Sequence, residues 1–79
     1  MPATVSLDQL PVNARAVVRR PVGGRELASR LASMGLSPGA SLVVLENSGH
    51  GPVLVLVRDT RLALGRGEAA SILVEQGTS

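Results

Sequence analysis

The run Arg30-Leu31-Ala32-Ser33-Met34-Gly35-Leu36-Ser37-Pro38-Gly39-Ala40 constrains this chain more than any other segment. It reads as the end of a helix, a glycine stop, a proline-glycine turn and the start of a strand. A glycine after a helical stripe suits the left-handed residue that ends a helix, and Leu36 after it can pack back onto the last turn. Upstream, Leu27, Leu31 and Met34 sit at i, i+4 and i+7, one face of a helix, with Ala28 and Ala32 widening the stripe. Glu26 falls in the first turn, where an acid suits the helix dipole, and is spaced to pair with Arg30. The helix stripe is core rather than a ligand groove.

Strands account for the rest. Ala14 to Arg19 alternates as a strand with Ala14, Ala16 and Val18 on one face, and Pro21-Val22-Gly23-Gly24 breaks it. Ser41 to Glu46 and Val53 to Arg58 flank the turn-rich segment Asn47-Ser48-Gly49-His50-Gly51-Pro52, which predicts a hairpin. Arg61 to Leu64 is a short strand, Glu68 to Ser71 about one helical turn, and Ile72 to Val74 a closing strand. Before all of these, Val5 to Leu10 reads as a helical turn that Ser6 could cap. The expectation is a mainly β domain spanning residues 1–79: a small, partly open barrel of five strands, one short helix between strands 1 and 2, and a tail frayed over 76–79.

Composition then narrows the function. The 79 residues contain no Phe, Tyr, Trp, Cys or Lys, so the core is aliphatic and neither a disulfide framework nor a thiolate metal site is available. Eight Arg against six acids leave a net charge of +2, too weak a field to call for nucleic acid. No apolar run approaches the ~20 residues of a membrane span, and no basic segment leads into a long apolar stretch, so a cytoplasmic chain is expected.

Three groups of residues carry a resemblance. They are Arg30-Leu31-x-x-Met34-Gly35-Leu36-x-Pro38-Gly39, then Gly51-Pro52 with Val53-x-Val55-x-Val57-Arg58, then Leu62-Ala63-Leu64-x-x-x-Glu68-Ala69-x-x-Ile72-x-Val74. Together they resemble the FeoA family from about Leu7 to Glu75. The resemblance implies an SH3-like barrel and an accessory role in bacterial ferrous iron uptake, at the cytoplasmic face of the FeoB transporter, a membrane GTPase. A similar domain ends the iron-dependent repressors, which makes a self-associating regulatory module the alternative. Asp59 stands where the family commonly has glycine, and Gly65 where it commonly has Arg; Asp tolerates left-handed backbone better than most residues. The family pattern turns Leu42, Val44, Val53, Val55 and Val57 inward. Alternation then turns Val43, Leu45, Leu54 and Leu56 outward.

Those four outward aliphatics are either covered by the helix or the N-terminal segment, or form a contact surface for a partner or a second copy of the chain. Val53-Leu54-Val55-Leu56-Val57 is also an uncharged, aggregation-prone window that needs protection. Together with Arg19, Arg20 and Arg25, the outward set is the expected partner-binding surface, for the FeoB-like transporter or in a homodimer. No catalytic, cofactor or metal residue is expected. His50 is a lone loop histidine, where a ferrous site needs several imidazole or carboxylate ligands. Gly65-Arg66-Gly67-Glu68 lacks the length and lysine of a phosphate loop. Without aromatic rings the chain has neither the base-stacking platform of a single-strand binder nor the groove that holds proline-rich peptides.

Overall fold

A computed structural model describes residues 4–77. Its elements run β1 (Thr4–Ser6), a 3-10 turn (Leu7–Gln9), β2 (Arg15–Pro21), α1 (Gly24–Ser33), β3 (Ser41–Glu46), β4 (Val53–Val57), β5 (Thr60–Leu64), α2 (Arg66–Ala70) and β6 (Ile72–Gln76). All strand pairs are antiparallel and form one sheet in the order β1-β6-β2-β3-β4-β5.

The helix ends as its sequence demands. Gly35 takes φ +87°, the Leu36 N–H donates to the Leu31 carbonyl at 2.9 Å, and the Gly35 N–H donates to the Ala32 carbonyl at 3.0 Å. This is the Schellman arrangement, and it drives Leu36 into the core beside Leu31. Ser37 to Ala40 then closes a turn, with the Ala40 N–H on the Ser37 carbonyl and Gly39 at φ +93°. The turn is stitched to β2 by reciprocal bonds between Val18 and the Gly39-Ala40 backbone. Leu27, Ala28 and Met34 are half-buried as the stripe requires, but Ala32 is exposed.

Inward residues of the strands, Ala16, Val18, Leu42, Val44, Val53, Val55, Val57, Leu64, Ile72 and Val74, are all buried. Leu7 and Leu10 from the N-terminal segment and Ala69 from α2 join the same core. The aggregation-prone β4 lies between β3 and β5, so its backbone is paired on both sides.

Four expectations need correction. There are six strands rather than five, because Thr4–Ser6 pairs with Ser6↔Leu73, Val5↔Val74 and Thr4↔Glu75 on β6. A three-residue strand whose partner lies at the far end of the chain leaves no local signature, and its presence places α1 between the second and third strands. Ser6 does not cap the turn that follows; its hydroxyl donates to the Asp8 carboxylate at 2.6 Å. Arg30 pairs with Glu68 of α2 rather than with Glu26, since the sheltered Glu68 carboxylate gains more from a cation than one in open water does. The C-terminal segment is paired farther than expected: β6 runs through Gln76, and the Gly77 N–H donates to the Arg15 carbonyl at 2.7 Å. Residues 78–79 of the expected tail lie outside the described residues.

Candidate functional site

Pairing register decides which side chains share the outer wall of the sheet, because opposed residues point the same way. One rung runs Arg15–Val43–Leu56–Arg61 across β2, β3, β4 and β5. The next outward rung along β3 and β4 runs Glu46–Leu54–Ala63. Between them the register slips, so Leu45 is the extra residue of a bulge and opposes no partner of its own.

Val43, Leu45, Leu54 and Leu56 are all half-buried rather than open to solvent. None of them belongs to the part-buried side chains that pack on the core. α1 packs chiefly on β2, and the 3-10 turn on α2 and β6. Among the described residues, the exposed large hydrophobics are Val12 and Val22, neither of them on β3 or β4.

A shallow groove of about 500 Å³ opens on the same wall, lined by Val43 and Leu56 together with Val17, Arg15, Ser41, Arg58 and Asp59. Arg58 and Asp59 form the two-residue turn between β4 and β5 and both take positive φ, +49° and +66°. The left-handed backbone expected at Asp59 is therefore present, and Arg58 shares it.

The arginines named from sequence lie elsewhere. Arg19 forms an ion pair with Glu75 of β6 at 3.0 Å. Arg20 opposes Leu73 near the far end of β2, and Arg25 stands exposed in the first turn of α1. Arg15, Arg58 and Arg61 are the cations beside the aliphatic rung. Composition could not find them, because register, not spacing along the chain, brings them together.

His50 is exposed in the β3–β4 loop, where its carbonyl accepts from the Ser48 hydroxyl at 2.8 Å. Among the described residues no three His, Cys, Asp or Glu stand close enough to hold a metal ion. Gly65 to Glu68 is a helix start: the Glu68 carboxylate accepts from the Gly65 N–H at 3.2 Å. Arg66, between them, reaches the Gly51 carbonyl, the Asp8 carbonyl and Asn47 Oδ1. Asn47 donates in turn to the carbonyls of Asp8 and Leu10 at 2.9 and 2.8 Å. The pair clasps the β3–β4 loop to the N-terminal turn, a structural role that neither residue's neighbours in sequence reveal.

No described helix is long and apolar enough to cross a membrane.

Comparison with known proteins gives a consistent picture. The FeoA domain pattern matches residues 5–76. A candidate Fe(2+) transport protein A of Methanocaldococcus jannaschii is 37% identical over 59 residues, 75% of this chain and 71% of that protein. The crystal structure of an iron uptake regulatory protein, FeoA, superposes with a TM-score of 0.87 at 33% identity, covering 95% of this chain and 99% of the other. The FeoA of Stenotrophomonas maltophilia, solved with zinc and described as a prokaryotic SH3 domain protein, gives 0.79 at 30% identity over 92% of this chain and 95% of its own. The SH3-like architecture is thus shared. At 23% identity the fold alone also recurs in 44% of a manganese-dependent transcriptional repressor, with a TM-score of 0.85.

Proposed function

This chain belongs to the FeoA domain family, and we propose that it is a non-enzymatic accessory module of ferrous iron transport that works in the cytoplasm by gripping another protein. The partner is the cytoplasmic part of a FeoB-like transporter, whose activity the docked module modulates. The observation that carries this reading is the aliphatic wall of β3 and β4: half-sheltered side chains outside the core cluster, with Arg15, Arg58 and Arg61 beside the Val43–Leu56 rung. Apolar surface that the fold does not need for its own stability is the usual material of a contact site. Catalysis is the weaker reading, because no nucleophile, base and orienting group come together at this wall.

The test is capture of the transporter's cytoplasmic part by the immobilised chain. Replacing Val43 and Leu56 with Ser removes the apolar rung while leaving the buried core untouched. Capture falls at least tenfold if the wall is the docking surface, and undiminished capture by a folded variant rejects it.

A second reading rests on the same half-sheltered aliphatic wall: it meets a second copy of the chain. Light scattering at micromolar concentration would then report a dimer that the same two substitutions dissolve.

A further inference from the structure

We propose that the groove on the outer wall seats a segment of a partner protein in which an aliphatic pair is bracketed by carboxylates. The inference rests on the reading that this chain acts by gripping another protein, and it specifies the chemistry of what is gripped. Three observations carry it. Val43 and Leu56, paired on neighbouring strands, give the groove an aliphatic centre. The two ends of their rung are both guanidinium groups, Arg15 and Arg61, and a third, Arg58, lines the groove. Among the described residues none of the three is in an ion pair, whereas Arg19 and Arg30 each have one. Asp59 is the one acid that lines the groove, against Arg15 and Arg58, and Arg61 at the end of the rung adds a third cation beside it.

Geometry narrows the occupant. Four adjacent strands place the two terminal arginines of the rung about 14 Å apart at ~4.8 Å per strand. Both can therefore reach acids flanking a two-residue apolar anchor on one short segment. An isolated phosphate would satisfy an arginine but leave the aliphatic centre wet. A nucleic acid strand would meet no aromatic platform. A purely apolar helix would bury uncompensated guanidinium groups, which is costly. Only an acidic segment with aliphatic anchors satisfies the aliphatic centre and the arginines together, because arginine binds carboxylates through paired N–H donors.

Arg58 adds a detail. A two-residue hairpin turn with both residues at positive φ favours Asn-Gly or Asp-Gly. An arginine in that strained place fits a position kept for its side chain in the groove rather than for the turn.

The experiment titrates the full chain, labelled for amide NMR, with a twelve-residue synthetic peptide carrying a Leu-Leu pair between glutamates, and with its lysine-for-glutamate counterpart. The expected result is fast-exchange shifts confined to the neighbourhood of Arg15, Val43, Leu56, Arg58 and Arg61 with the glutamate peptide only, weakening as salt rises. The double variant Arg15→Glu, Arg58→Glu should lose the glutamate peptide at least tenfold and gain the lysine one. Equal response to both peptides, shifts elsewhere on the surface, or no shifts at millimolar peptide would overturn the proposal. Loss of transporter capture with an intact peptide response would instead reject the choice of partner and leave the groove's chemistry standing.

Discussion

Asn47 bridges two parts of the chain that share no strand pairing. Its amide donates to the carbonyls of Asp8 and Leu10 and accepts from Arg66. Removing it strands two part-sheltered carbonyls and one guanidinium contact. Asn47→Ala should therefore cost about 1–3 kcal/mol, read as a lower urea midpoint with an unchanged slope. Asn47→Asp should fare no better, because a carboxylate cannot donate to those carbonyls. A midpoint within error of the unaltered chain would show the clasp to be decorative. The residues legible in sequence were those whose partners are close along the chain: Gly35 and Leu36 settle against Leu31 and Ala32, all within six consecutive residues. Asn47 and Arg66 read only as loop and turn residues, because their partners lie up to 58 positions away. Glu68 misled for the same reason, since its claim on Arg30 depends on α1 and α2 meeting in space.

The turn between β4 and β5 shows how one element can trade stability for a surface. Each non-glycine residue in the left-handed region costs roughly 1–2 kcal/mol, with Asp toward the cheap end. Arg58 at φ +49° has no such discount. Replacing Arg58-Asp59 with Asn-Gly should raise stability by about 1 kcal/mol, measured by urea or thermal unfolding. The same variant should bind the glutamate peptide less tightly, having lost a groove cation. A variant no more stable than the parent would mean the turn carries no strain. The hairpin itself was evident from its alternation and its turn formers. The bulge at Leu45 was not, because strict alternation across β3 assigns Leu45 and Leu54 to one flat stripe. The slipped register instead opposes Leu54 to Glu46 and leaves the basic rung, with Val43 and Leu56, as the apolar centre.

At the scale of the molecule, the last described strand lies inside the sheet. β6 pairs with both β1 and β2, and its Ile72 and Val74 are fully buried. The barrel class followed from strand lengths and turns, but this order did not, since no local pattern marks a pairing between the two ends of a chain. Its consequence is a sharp dependence on the C-terminal segment. Burying two such side chains is worth about 3–6 kcal/mol, before any ladder bonds are counted. A domain this small has total stability toward the lower end of about 5–15 kcal/mol. A chain ending at Ser71 should therefore be unfolded, with collapsed amide dispersion. One ending at Gly77 should keep the spectrum of the full chain, since among the described residues the last backbone bond to β2 is the one from Gly77 to Arg15. Dispersed signals from the shorter chain would mean that β2 to β5 and α1 form a self-sufficient unit. If it is unfolded as expected, the uncharged run of β4 stays unprotected until β6 has been made. The shorter chain should then aggregate at concentrations where the longer one stays monomeric or forms a discrete dimer.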